Sequence, residues 1–410
     1  MGHGTCTGTG ESRRSHLYDV VIVGGRCAGA SLAMLLARNG HRVALVDRAS
    51  FPSDTMSTHF LWQRGAARLQ AWGLLDGLES RGCAPIHQIA FDVGPVQLHG
   101  IGPPVGDVQC TYCPRRTVLD GLLVEAATTA GAELIDRFTV DDVVWSDGRV
   151  TGVVGHHTHD QQITLRSKFV VGADGRHSKI GRSVGAQTYQ QHGSQTGVRY
   201  SYWSGLQHLG ASFHARHGRL VLVWPTNDQL TCLYVGTSVD EFRATQHNVE
   251  PHFLDALSLV PGLRDAVTNA ERTHRFVGTD DLPNGYRCSA GPGWALVGDA
   301  GHHKDPSTGM GMSDAFIAAE ALAGAIHAGL IGVTPMDTAV AQYQQQRDNA
   351  TSEGLQLALS TARMAPLSLR QEKFYLRAAD NHDLSERVFG VLGGTLRAAD
   401  VFASPSHAVS

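Results

Sequence analysis

Lysine is nearly absent: only Lys168, Lys179, Lys304 and Lys373 occur in 410 residues. Basic charge rests on arginine, and the formal net charge is −4. Neither nucleic acid nor an anionic membrane is therefore expected as a partner. No apolar run reaches the length of a membrane span. Residues 1–16 are rich in Gly, Ser and Thr and lack an apolar signal-peptide region, which predicts a mobile, disordered tail. Arg13-Arg14 leads into a strand and not into an export signal. Cysteine is odd in number, seven in a long chain, which argues for a reducing compartment and a cytoplasmic location. Cys110-x-x-Cys113 has no second pair and starts no helix, so both read as plain thiols. The run His156 to Asp160, HHTHD, falls at a turn between two strands and reads as a solvated hairpin tip, so no metal site is expected. There are no repeats and no low-complexity segments.

What is present is a chain with 42% hydrophobic residues, enough for two or three domains. Its organising stretch is Tyr18 to Asp47. The apolar run Val20 to Val23 reads as a buried parallel strand. A Gly24-Gly25 turn follows, then helical spacing from Ala28 to Arg38, with Gly40 as the stop. Arg42 to Val46 is a second strand. This is a βαβ dinucleotide unit. Its turn lets a pyrophosphate approach the backbone at a helix N-terminus, where free N–H groups favour anions. Asp47, 18 residues beyond Gly29, is placed to accept hydrogen bonds from a ribose. Arg26 stands where the second glycine of G-x-G-x-x-G belongs, a departure that affects phosphate approach.

Further along, Leu61 through Leu75 predicts a helix, preceded by Ser57, Thr58 and His59 as candidates to face the nucleotide, with an N-cap by Ser57 or Thr58 as the competing reading. Ala84 to Gly106 reads as a first excursion of short strands. Arg115 and Arg116 precede a helix over Val118 to Ala130 and could hold a phosphate or simply lie at the surface. Asp147-Gly148 marks a hairpin. Residues 186–285 alternate in the manner of an antiparallel sheet with one face covered. Asp314 to Ala328 is a small-residue helix, and helices follow from Met336.

Three motifs then occur in fixed order: GGRCAG at 24–29, GADGRHSKIGR at 172–182 and GDAGHHKDPSTGMG at 298–311. Together they resemble the FAD domain of class A flavoprotein monooxygenases, the p-hydroxybenzoate-hydroxylase-like proteins of glutathione-reductase type. The resemblance covers roughly residues 17–350. It implies an α/β fold: a Rossmann-like FAD-binding domain, an inserted and mainly antiparallel β-sheet substrate domain, and C-terminal helices. The expected division is 17–85, 114–185 and 286–350 for FAD, 86–113 and 186–285 for substrate, and 351–410 as a helical segment. FAD contacts are implied for Gly24, Gly25, Cys27, Ala28 and Gly29, and for Asp47 and Arg48. Arg116 looks like the family's FAD-contacting arginine, and Val140 like the residue bordering the adenine. Asp174 and Gly175 are implied near the pyrophosphate. Gly298, Asp299 and Ala300 are implied at the ribityl chain, and Gly309, Met310, Gly311 and Met312 at the flavin edge. For Asp174 and Asp299 an Asx turn is the competing reading.

Only one dinucleotide fingerprint is present, so no permanently bound NAD(P)H domain is expected, and the resemblance implies NADH or NADPH as a transient reductant. The resemblance implies hydroxylation of an aromatic or polycyclic small molecule with O2, by way of a flavin C4a-hydroperoxide. The substrate pocket is expected between the flavin and the 186–285 sheet, with His59, Arg199, Tyr200, His214, Trp224, Tyr234 and Pro306 as candidates. Strand alternation directs about half of the sheet residues elsewhere. Three alternatives stand. A reductase of carbon–carbon double bonds, geranylgeranyl-reductase-like, would need a long apolar groove. A halogenase would carry W-x-W-x-I-P and a lysine within residues 1–167, and this chain has neither. A non-enzymatic flavoprotein would sequester its ligand. Oligomeric state stays open.

Overall fold

The computed structural model describes residues 17–158 and 161–402. The expected N-terminal tail, the last residues of HHTHD and the polar C-terminus lie outside the described residues. The first sheet runs in the order Ala290–Gly291, Trp294–Leu296, Ile163–Gly172, Leu17–Val23, Val43–Val46, Glu133–Ile135. Its central pairs are parallel, with Val21 opposite both Ala44 and Val170. The hairpin Phe138–Ser146 and Arg149–His157 joins it antiparallel, beside Ile163–Gly172. Both faces of such a sheet must be covered, which explains why its strands read as unbroken apolar runs. One face carries the helices Cys27–Arg38, Arg116–Thr129 and Gly311–Leu330, which share one core. Alanines in the first and last of these keep the helices close to each other and to the sheet.

The second sheet is ordered Glu271–Arg272, Thr196–Ser204, Leu230–Ser238, Arg219–Pro225, Ala211–Arg216, Ile89–Asp92, Gln97–Gly100. The excursion at 84–106 thus supplies two strands to the sheet built by 196–279. All its pairs are antiparallel except Ala211–Arg216 with Ile89–Asp92.

Two expectations are corrected here. The sheet has both faces covered. Tyr200, Tyr202, Leu222, Trp224 and Tyr234 face one core, shared with Val388 and Phe389 of the C-terminal helices. Trp203, Val221, Val223, Leu233 and Val235 face another, under Phe253, Leu257 and Leu263. The run Leu220 to Trp224, apolar at every position, is what a strand buried on both sides requires. The helix expected over 61–75 is two helices, Gln63–Ala71 and Leu75–Glu79, because Gly73 adopts a left-handed φ of +75°. The helix Met336–Ala362 runs unbroken through position 350, so the C-terminal segment begins inside a helix and returns to the second sheet. Among the described residues no helix is long and apolar enough to cross a membrane.

Candidate active site

The first motif folds as expected around Gly24, at a φ of +109°, where a Cβ would come within 2.3 Å of the Ala173 carbonyl oxygen. Gly29 is equally constrained, since a Cβ there would lie 1.8 Å from the Gly24 oxygen. The tight strand–turn–helix joint needs both bare. Position 26 does not: Arg26 has a φ of −98°, open to any residue. Its side chain leaves the turn. The guanidinium meets Asp120 Oδ2 at 2.8 Å, Ser53 Oγ at 3.1 Å, and the carbonyls of Ser53 and Asp54 at 3.2 Å. Asp120 is fully buried and shared: Arg116 donates to its Oδ1 at 2.9 Å, and the Cys27 thiol lies 3.4 Å away. Burial opposes the charge of Arg116, but the carboxylates of Asp120 and the nearby Asp299 outweigh it and push its pKa up. Two arginines on one carboxylate leave one positive charge at the N-terminus of helix Cys27–Arg38, where a pyrophosphate would sit. Asp120 was not among the expected residues. The signal for it was a long cation in a tight turn, which needs an acidic partner, and Asp120 lies one helical turn from Arg116.

Asp47 is buried, and its carboxylate accepts from the Gly25 N–H at 2.6 Å and the Ala49 N–H at 2.8 Å. It shapes the turn as well as facing it, and each oxygen keeps a lone pair for a ribose hydroxyl. Arg48 is exposed beside it and Val140 half-buried. Asp174 accepts from Ser178 Oγ, Lys179 N and Ile180 N. Its carboxylate therefore starts the short helix Lys179–Ser183, and Gly175 follows in left-handed conformation. Gly298–Ala300 forms one turn with the Asp299 carboxylate exposed. Pro306–Thr308 forms another, started by Asp305, whose Oδ1 accepts from Ser307 N. Gly309 then enters helix Gly311–Leu330, and a Cβ at Gly311 would meet nothing within 4 Å. The Thr308 and Ser313 hydroxyls are buried without partners among the described residues.

His59 is fully buried at a left-handed φ of +61°. Its Nε2 makes a short hydrogen bond with the Tyr202 hydroxyl. Burial, reinforced by Arg116 and Arg115, lowers its pKa to about 3, so the ring is neutral. With Nε2 accepting, the proton sits on Nδ1, which has no partner among the described residues. Arg115 lies over the Tyr202 ring, 4.9 Å from its centroid.

The remaining substrate candidates separate by face. Arg199 is directed away from the flavin side, with its guanidinium on the Phe242 carbonyl at 2.7 Å and over the Phe242 ring. His214 lies on that same outer face, held by Asp92 at 3.1 Å and Ser212 at 2.8 Å. Alternation along the strands is the cause, and both are withdrawn as pocket lining. Tyr200, Trp224 and Tyr234 point inward but are core: Trp224 has Phe60 at 4.4 Å and Phe213 at 4.3 Å between ring centroids. Pro306 is half-buried in its turn.

The open space lies elsewhere. A groove of about 1730 Å³ runs between the inner face of the second sheet and the C-terminal helices. Trp62, Phe213, Ser307, Thr308, Met364 and Phe374 are in its walls. Ser307 and Thr308 place it against the loop that leads into helix Gly311–Leu330. The last sixty residues carried no assignable motif, so sequence reading missed this wall.

A family profile described as "FAD binding domain" matches residues 17–356. The chain is 24% identical over 344 residues to a 1H-pyrrole-2-carbonyl-[peptidyl-carrier protein] chlorinase of Pseudomonas fluorescens, covering 76% of each. It is 26% identical over 332 residues to the digeranylgeranylglycerophospholipid reductase of Methanocella arvoryzae, covering 76% of this chain and 79% of the relative. The solved structure of the p-nitrophenol 4-monooxygenase PnpA from Pseudomonas putida superposes with a TM-score of 0.76 at 18% identity, over 93% of this chain and 99% of that one.

Proposed function

The chain belongs to the FAD-binding-domain family and is an FAD-dependent oxidoreductase, and on that premise we propose that it hydroxylates an aromatic or polycyclic small molecule using NAD(P)H and O2. The residues fit the cofactor. The bare Gly24–Gly29 joint, the single net positive charge on Arg26, Asp120 and Arg116, the exposed Asp299 and the open Gly311 are the features a dinucleotide calls for. His59 Nδ1 and the Thr308 and Ser313 hydroxyls are buried polar atoms without a partner among the described residues, which a bound polar group can satisfy. FAD supplies the electron transfer and the oxygen chemistry when bound. The chain's own work is to hold, orient and dry the reacting partners. Asp47 and Asp299 accept from sugar hydroxyls, and the free N–H groups at 310–312 favour negative charge on the flavin edge. The Phe60–Trp62–Trp224 cluster excludes water behind that loop.

The observation that carries the reading is the groove, because it touches both that loop and the aromatic face of the second sheet. Its lining is mostly apolar, Phe91, Phe213, Leu367 and Phe374 among it, and Arg216 and Arg219 are already paired with Asp92 and Glu241. Such walls suit a planar apolar body, and because they also suit an isoprenoid chain, saturation of carbon–carbon double bonds stands as a competing reading. Similarity to a chlorinase favours halogenation as the second reading, against which stand the absence of any lysine before Lys168 and of a W-x-W motif. The test is a screen of aromatic metabolites for stimulated NAD(P)H oxidation, with mass analysis of products. Gain of one oxygen atom supports the hydroxylase. Gain of two hydrogens, or of a halogen when halide is supplied, refutes it.

A further inference from the structure

A second, smaller cavity of about 370 Å³ lies behind the 306–311 loop. Arg64, Lys304, Met310 and Asp314 are in its lining. Lys304 is buried and paired with Asp314 through a short contact, its ammonium also 3.7 Å from Met310 Sδ. Arg64 has no such partner: its guanidinium makes no hydrogen bond or ion pair with any described residue. Arg397 and Glu353 at the rim pair with each other at 3.1 Å. Two lysine–acid and arginine–acid pairs cancel, which leaves one positive charge, on Arg64, half-withdrawn from water. Burial, against the pull of Asp314, lowers its pKa, the direction of a cation lacking its counter-charge.

Two glycines clear this space. A Cβ at Gly354 would lie 2.9 Å from Lys304 Nζ, and one at Gly394 would lie 2.6 Å from Arg64 Nη1. We propose that this cavity binds the carboxylate of a small monoanionic organic acid, held by the Arg64 fork with Lys304 beside it. One net charge matches a monoanion. A planar guanidinium with free donors matches the two oxygens of a carboxylate. A cavity of this size has room for roughly a dozen waters, more than a bare halide fills. The cavity shares Glu353, Leu357 and Ala398 with the large groove, so an acid anchored here extends its apolar body into that groove. The site itself rests on Arg64, Lys304 and the two glycines; that the acid held there is also the substrate rests on the proposed function.

The test is calorimetric titration of the FAD-loaded protein with benzoate and with benzyl alcohol at constant ionic strength, repeated in Arg64→Met. Benzoate should bind in preference to the alcohol, and Arg64→Met should weaken it by about tenfold to a hundredfold, the range for charge-assisted bonds, without changing the alcohol. No preference for benzoate, undiminished binding in Arg64→Met, or displacement by chloride as effective as by benzoate each overturns the proposal. Should Arg64→Met not fold, Gly354→Ala, which adds a good helix former within Met336–Ala362, replaces it: crowding Lys304 should weaken benzoate, and unchanged binding overturns the site. Oxygenated product is followed in parallel. Arg64-dependent benzoate binding with no oxygenation of any aromatic keeps the site and refutes the hydroxylase. Oxygenation of neutral aromatics with no benzoate binding does the reverse.

Discussion

His59 is a neutral ring locked in the core, and acid should find it. Its pKa in the folded chain is about 3, through burial first and then Arg116 and Arg115. In the unfolded chain it returns to about 6.5. Between those values the unfolded chain holds a proton that the folded chain does not, so stability falls as pH falls below about 6.5 and stops falling near 3. The slope approaches ~1.4 kcal/mol per pH unit, and the full span amounts to about 5 kcal/mol. The perturbation is His59→Asn. Asparagine tolerates the left-handed conformation seen at φ +61° and does not titrate. His302, also lowered to about 3 by burial, is present in both proteins and cancels in the comparison. Urea unfolding followed by circular dichroism, from pH ~7 down to ~4, should show the wild type losing about 3 kcal/mol more than the variant. Parallel stability curves would refute the reasoning, because they would mean that His59 is solvated enough to accept a proton in the folded state.

Three other outcomes follow from the site and the core. Asp47→Ala should raise the FAD dissociation constant by about tenfold or more, since it removes a ribose acceptor and also frees the Gly25 N–H from the bond that shapes the turn; fluorescence titration with FAD checks it, and unchanged affinity in a folded variant excludes the role. Arg26→Gly restores the ordinary fingerprint but removes the one net positive charge left by Arg26, Asp120 and Arg116, so FAD should bind more weakly, while Ser53 and Asp54 lose their anchors and the loop becomes more sensitive to limited proteolysis; an unchanged cleavage rate would show that Arg26 does not hold the loop. Trp224→Ala should destabilise the protein by about 3–5 kcal/mol, because its ring is fully enclosed by Phe60 and Phe213. A stable variant that loses only activity would return Trp224 to the pocket.

The sequence by itself determined the cofactor half of this protein. Phosphate binding at a βαβ turn is local chemistry: strand, Gly24, helix start and Asp47 all lie within thirty residues, and the backbone conformations they require are written in residue type. The same holds for Gly298–Asp299 and the Pro306–Gly311 turn. The tertiary structure decided what lay beyond local reach. Arg26 looked like a defect in the fingerprint until Asp120, 94 positions away, was seen to receive it. Arg199 and His214 were indistinguishable from Tyr200 and Trp224 as aromatic or polar residues on alternating strands, because alternation gives two faces without naming which one is inward. In a sheet buried on both sides, hydrophobicity no longer separates them. The groove was invisible for a further reason. One wall comes from the inner sheet and the loop at 307–308, the other from helices beyond position 350, and the space between them belongs to no segment. Arg64 reads in sequence as an ordinary helix arginine, and only the fold, which sets it beside Gly394 in a cavity it shares with Lys304, leaves its charge without a partner among the described residues.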